Sequence, residues 1–175
     1  MFAQPAWTRH IAPQDIVRLA TLGPVGRARL APGTWGSAAG LVYFVVCFSQ
    51  FGILEGVVAT LVTSALASYF AVGVCGEAER QLGRHDPSEV VLDEFVAMPL
   101  CFLGWQWIAA PGFLGFLAVL ASGFALFRFF DIRKPLFINT LQDLPGGWGI
   151  VADDTAAALA ACLTLHVAHL AWVLV

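Results

Sequence analysis

The chain has 175 residues, of which 59% are hydrophobic and only 12% charged, against about 25% charged in an ordinary soluble domain. Nine Lys and Arg against twelve Asp and Glu leave a formal net charge of −3, and mean hydropathy is +0.78. These values exclude disorder, a nucleic-acid partner and a water-soluble monomer, and point to a protein embedded in a membrane.

Residues 1–37 carry Arg9, Arg18, Arg27 and Arg29 against Asp15. A short surface helix is predicted near 13–20, and no continuous apolar core of a cleavable leader is visible. Pro32-Gly33-Thr34-Trp35-Gly36-Ser37 reads as a loop whose last residue caps a helix starting at Ala38. In the functional version the Thr34 and Ser37 hydroxyls and that helix N-terminus hold a phosphate. Residues 38–75 contain only Glu55 as a charge. At about 20 residues per span, Ser49-Gln50-Phe51-Gly52 divides this stretch into a helical hairpin.

The next charged block contains His85-Asp86-Pro87-Ser88-Glu89, which reads as a helix start with Asp86 as N-cap, Pro87 in the first turn and Glu89 at N3. That places Asp93 and Glu94 two turns into the helix, with no cap to make and no lysine near them in sequence. A solvated helix end is the alternative. Residues 95–127 are uncharged, and turn signals from Gly104 to Gly112 predict a second hairpin. Trp105 and Trp107 beside Gln106 suit an interfacial aromatic belt.

Arg128-Phe129-Phe130-Asp131-Ile132-Arg133-Lys134-Pro135 opens the third block and reads as a helix C-terminus, with Arg128, Asp131 and Lys134 on one face. This is either a dipole-matched helix end with a local ion pair or a carboxylate flanked by phosphate-binding cations. Gly146, Gly147 and Gly149 could present backbone N–H groups to an anion. Asp153 and Asp154 follow where a last apolar helix, 155–175, is predicted to begin; one of them could serve as its N-cap. His166 and His169 within it are expected to hydrogen-bond between helices. Cys47, Cys75, Cys101 and Cys162 lie in apolar runs without metal-ligand spacing and read as buried small hydrophobes.

Two hairpins return the chain to its starting side, so all three charged blocks face one aqueous phase, and the basic N-terminal segment makes that phase the cytoplasm. The expected fold is all-α. It is a single domain comprising an N-terminal cytoplasmic segment and loop (1–37) and a membrane-embedded multi-helix bundle (38–175) of about five apolar helices, two hairpins plus a C-terminal helix. A soluble apolar bundle that oligomerises is the alternative architecture, and homo-oligomerisation stays open. Asp93, Glu94, Asp131, Asp153 and Asp154 then meet at one membrane face. Carboxylates at about 4 Å repel by roughly 4 kcal/mol at an effective dielectric of 20, so such a set protonates or holds a cation, and an all-oxygen set suits Mg²⁺. Such an ion could polarise a phosphoryl group and activate a water. His85 is a candidate general acid or base, or simply a loop histidine. The competing class is a small transporter or cation channel whose acids line a pathway.

From about Pro32 to Ala158 these motifs, in order, resemble the phosphatidylglycerophosphatase A family of bacterial lipid enzymes: Pro32-Gly33-Thr34-Trp35-Gly36-Ser37, His85-Asp86 with Val91-Leu92-Asp93-Glu94-Phe95, Arg128 to Pro135, and Gly146-Gly147-Trp148-Gly149-Ile150 before Asp153-Asp154. The resemblance implies an α-helical bundle at the cytoplasmic face of the bacterial inner membrane and Mg²⁺-dependent removal of the terminal phosphate from a phospholipid substrate, phosphatidylglycerophosphate. Under it, Asp93, Glu94, Asp131, Asp153 and Asp154 are expected to furnish the metal ligands. Arg128 and Lys134, with Thr34, Ser37 and Gly146–Gly149, are expected to hold the phosphate. His85, Asp86 and Asp131 are the candidates for catalysis, by direct water attack or through an aspartyl-phosphate. The chain departs from the family pattern at Ala97 and Pro99, where Gly usually follows the Asp-Glu pair, and at Phe137, where a second proline often stands.

Overall fold

A computed structural model describes residues 4–135 and 137–174. Residues 1–3 of the expected N-terminal segment and residue 175 of the expected last span lie outside them. After a 3₁₀ turn, Ala6–His10, the elements are α1 (Pro13–Ala20), α2 (Pro32–Cys47), α3 (Ile53–Leu82), α4 (Leu92–Ala97), a second 3₁₀ turn (Met98–Phe102), α5 (Trp105–Ile108), α6 (Phe113–Arg133), α7 (Ile138–Leu141) and α8 (Gly147–Val173). No strand occurs among the described residues, in agreement with the all-α expectation.

Among the described residues three helices, α3, α6 and α8, are long and apolar enough to cross a membrane, rather than about five. The first arms of both hairpins are the ones that fall short. α2 ends after 16 residues. In the second hairpin Pro99, fully buried, stands at the start of the 3₁₀ turn. A proline there withholds a backbone donor and its ring crowds the preceding turn, so residues 92–108 form three short pieces instead of one span. The outer faces of the long helices carry exposed large apolar side chains, among them Leu54, Leu66, Leu114, Leu163 and Trp172, the surface a bilayer would solvate.

Chain direction positions everything polar. The C-terminal ends of α3 and α6 and the N-terminal ends of α2 and α8 gather at one end of the bundle, where the side chains of all three charged blocks meet. At the opposite end the two tight turns touch: the Gln106 side-chain amide donates to the Phe51 carbonyl at 3.0 Å. Trp105 packs against Phe116 there, with ring centroids 4.7 Å apart and planes tilted by 53°, while Trp107 is exposed. His166 Nδ1 donates within its own helix, to the Cys162 carbonyl at 3.0 Å, rather than across to a neighbour.

The core has two parts. Phe44, Met98, Phe102 and Phe127 fill one between α2, α6 and α8, with the Phe44 and Phe102 rings 4.6 Å apart. Ile16, Val72, Val74, Val96 and Ile150 fill the other. Cys75 and Cys101 are buried, Cys47 and Cys162 partly so, and all are free thiols. α4 reaches the core only because α2 presents glycine to it: a Cβ on Gly40 would lie 2.7 Å from the Phe95 carbonyl oxygen. Small residues at helix contacts allow such close backbone approach, and here the approach carries Asp93 and Glu94 under the N-terminus of α2.

Candidate active site

The polar end of the bundle encloses a cavity of about 290 Å³ lined by Asp86, Asp93, Glu94, Asp131, Asp153 and Asp154, with Arg128 and Lys134 among them. Each acid arrives by a different local device. Asp93 and Glu94 stand in the first turn of α4, where carboxylates suit the helix dipole. The segment before it is fixed by the Val91 N–H donating to the Ala20 carbonyl at 3.0 Å. Arg128 and Asp131 occupy the last turns of α6, and Lys134 just past them adopts a left-handed conformation, φ 41°, which turns its side chain across to α8. Asp153 and Asp154 lie in the second turn of α8, both buried.

Within the cavity the charges sort themselves into two sets. One oxygen each from Asp93, Glu94 and Asp154 lies within 4.8 Å of the others. Two of the other three acids engage cations: Asp131 meets the Arg128 guanidinium at 2.7 Å, and Asp153 meets the Lys134 ammonium at 2.5 Å. Arg128 Nη1 also lies 3.6 Å from Glu94 Oε1 and donates to Ser37 Oγ at 3.2 Å, while the Ser37 hydroxyl donates to the Gly33 carbonyl at 2.8 Å. Asp93 Oδ1, Glu94 Oε2 and Arg128 Nε are buried without a hydrogen-bond partner among the described residues. Buried polar atoms are nearly always partnered, so three unpartnered ones around one cavity fit a polar ligand. Burial and the Asp131 charge, against Arg128, raise the Glu94 carboxyl to about 7. Burial, then the Glu94 charge, pushes Asp93 well above the ordinary carboxylate range. For Lys134 burial works against the ammonium, but the Asp153 hydrogen bond and charge outweigh it, and its pKa rises.

The five acids expected to converge therefore do line one cavity, although only three form the close group. Several expected roles are placed elsewhere. No helix begins at Asp86. It takes a left-handed φ of 44° in a turn, so it is free of capping and lines the cavity, while α4 starts only at Leu92. His85 points away: its ring meets Glu79 Oε1 at 2.5 Å on a neighbouring groove shared with Arg84 and Gly146. α2 begins at Pro32, not Ala38, so Thr34 and Ser37 are helical residues. Ser37 steadies Arg128, and Thr34 is not part of the lining. α8 likewise begins at Gly147, so neither Asp153 nor Asp154 is an N-cap. Gly147 and Gly149 are packing residues, since a Cβ would lie 1.9 Å from the Val72 carbonyl oxygen and 2.6 Å from that of Leu144 respectively. Lys134 pairs with Asp153 rather than with Asp131, because the helix has already ended.

Gly33 and Ser88 are lining residues to which the sequence motifs assign no role. A Cβ on Gly33 would stand 2.1 Å from Glu94 Oε1 and 3.3 Å from Arg128 Nη1. Gly33→Ala is expected to leave the bundle folded, since only side-chain ends must move, but to displace both groups. Turnover should drop about tenfold or more, as sub-ångström misplacement at a reacting centre does. Unchanged kcat in the purified variant would contradict this geometry.

A family model for phosphatidylglycerophosphatase A matches residues 18–169. Phosphatidylglycerophosphatase A of Haemophilus influenzae is 37% identical over 141 residues, covering 77% of each chain. That of Escherichia coli K12 is 29% identical over 141 residues, covering 77% of this chain and 72% of the relative. A Bacteroides thetaiotaomicron protein provisionally described as a phosphatidylinositol-3-phosphatase is 27% identical over 155 residues, 85% of this chain and 89% of its own. No solved structure matches the chain.

Proposed function

Because the chain belongs to the phosphatidylglycerophosphatase A family, a family of phosphatases acting on a phosphate monoester, we propose that its acidic cavity hydrolyses the terminal phosphate of phosphatidylglycerophosphate, supplying phosphatidylglycerol to phospholipid synthesis. The observation that carries this reading is the group of Asp93, Glu94 and Asp154 within 4.8 Å beside the partly satisfied guanidinium of Arg128. Three such acids repel unless a cation joins them. The donors are all oxygen, and Asp93 Oδ1 and Glu94 Oε2 are buried without partners, a set that fits Mg²⁺. Asp93, Glu94 and Asp154 would hold it directly. Asp131 and Asp153 would act through water while fixing Arg128 and Lys134. When bound, Mg²⁺ supplies Lewis acidity toward a phosphoryl oxygen.

The chain's own groups do the rest. Arg128 and Lys134 bind and orient the phosphate and offset charge as the ester bond breaks. The N-terminus of α2 at Gly33, directed at the cavity, adds its dipole. Asp86, which lines the cavity and enters no ion pair among the described residues, accepts a proton from the attacking water as its oxygen bonds to phosphorus. It passes that proton to the glycerol oxygen as the ester P–O bond breaks, releasing the alcohol and inorganic phosphate. His85, engaged with Glu79, does not reach the phosphate. Acids gathered at one end of three long helices favour hydrolysis at a membrane surface over a conduction path. The exposed Arg9, Arg18, Arg27 and Arg29 support an orientation with that end at the cytoplasmic face of the bacterial inner membrane.

The test is phosphate release by the purified protein from phosphatidylglycerophosphate and from a phosphorylated phosphoinositide. Release from the former, lost in EDTA and restored by Mg²⁺, is the expected result; preference for the latter, or full activity in EDTA, overturns it. Below the Glu94 pKa of about 7 a proton competes with the cation. Apparent Mg²⁺ affinity should weaken about tenfold from pH 8 to pH 6, and Glu94→Gln should flatten that dependence.

A further inference from the structure

Beside the acidic cavity, and separate from it, α2 carries a groove of about 420 Å³ whose floor is Trp35, Ala38, Ala39 and Val42 and whose wall includes Val25 and Ala28 from the preceding loop. The two sites meet at the start of one helix. Ala31 and Pro32 line the cavity, and Trp35 lies about 4.5 Å further along the axis, Val42 about 15 Å. The groove's surface is apolar and open on one side: Trp35 is 59% and Val42 61% exposed. Arg27 and Arg29 flank Ala28 in sequence, are exposed, and enter no ion pair among the described residues. Arg29 is two residues from Ala31, which at full extension puts its backbone within about 7 Å of the cavity rim.

In the chain Arg29 thus stands between the groove wall at Ala28 and the cavity rim at Ala31, with Arg27 one residue before Ala28, and this juxtaposition of cavity, arginines and apolar groove matches one kind of molecule. Resting on the function proposed above, we infer that the α2 groove seats an acyl chain of the phospholipid substrate, with Arg27 and Arg29 meeting the anionic phosphodiester that joins the lipid to its phosphorylated glycerol. The glycerol's three carbons bridge the arginines to the cavity. An amphiphile with a fixed negative charge between an apolar tail and a terminal phosphate is complementary to all three environments. A second protein helix laid in the groove would leave the two guanidinium groups unanswered.

The experiment compares a long-chain phosphatidylglycerophosphate in mixed micelles with its deacylated counterpart, glycerophosphoglycerophosphate. Ala38→Phe, which fills the groove, is expected to lower the ratio of kcat/KM for the acylated over the deacylated substrate about tenfold or more, the scale on which apolar pockets discriminate. Arg27→Gln with Arg29→Gln should raise KM for the acylated substrate. A ratio unchanged within twofold in Ala38→Phe overturns the groove while leaving the phosphatase reading intact. Wild-type protein that hydrolyses neither substrate overturns the phosphatase reading instead. Should Ala38→Phe not fold, fluorescence decides. Phosphatidylglycerophosphate brominated on its chains should quench the emission component lost in Trp35→Phe at lower mole fraction than brominated phosphatidylcholine does. Equal quenching by the two lipids overturns the proposal.

Discussion

Asp93→Asn and Asp154→Asn are each expected to lower kcat/KM at least about 100-fold, because partners of metal ligands alone cost 10–100-fold when removed and a ligand should cost more. The same Asp93 variant is expected to fold better than the parent when no divalent cation is present. The sign follows from the carboxyl, 4% exposed, whose pKa burial and the Glu94 charge raise well above the ordinary value. The folded state therefore holds this proton to higher pH than the unfolded chain, where it leaves near 3.9. Stability contributed by the protonated form is present at low pH and is lost as pH rises from about 4 through the folded pKa. Asparagine has no proton to lose. In EDTA the apparent melting temperature of Asp93→Asn should exceed that of the parent at pH 8, by a margin that shrinks toward pH 5. With Mg²⁺ the order should reverse, since binding stabilises the parent more. A variant that is inactive and also less stable at pH 8 without metal would mean that Asp93 serves the fold rather than a cation.

What the sequence made legible was the distribution of charge, and what it hid was where helices begin. Long apolar stretches, with Glu55 their single charge, sufficed between three polar blocks to gather Asp93, Asp131 and Asp154 at one end, because helix direction alternates whatever the details. Helix starts depend on tertiary contacts as well as on local signals. Asp86-Pro87-Ser88-Glu89 has the residues of a capping box, yet Asp86 adopts φ 44° and Glu89 turns to pair with Arg84. Helix resumes only at Leu92, where α4 can dock on Gly36 and Gly40. Ser37 looked like a cap because the residues before it are Gly, Thr and Trp. Pro32 at the first turn is the equally local signal for the earlier start that the chain takes. The glycines at 146–149 suggested an anion cradle. They are small because α8 begins against the backbone of α3, with Gly147 beside Val72, a contact between positions that no short-range pattern connects.

Arg128 is where fold and chemistry share one group, so its replacement tests both. Its guanidinium joins three helices: Ser37 of α2 at 3.2 Å, Glu94 of α4 at 3.6 Å and Asp131 of its own α6 at 2.7 Å. The side chain is only 17% exposed. Removing one member of a buried ion pair costs about 3–5 kcal/mol, because the partner keeps its charge without compensation. Arg128→Ala should accordingly yield little folded protein. Arg128→Lys is the sharper test, since lysine restores the charge but not the planar fork that spans several acceptors. One ammonium can satisfy Asp131 and hold α6 in place while leaving Ser37 and the phosphate position unserved. The expected result is a protein close to wild type in melting temperature, with kcat reduced about 100-fold, the cost typical of losing one preorganised donor to a developing negative charge. Inhibition by inorganic phosphate should weaken in parallel. Activity within threefold of the parent would show that a point charge at this position suffices, and that the guanidinium binds helices together without touching the substrate.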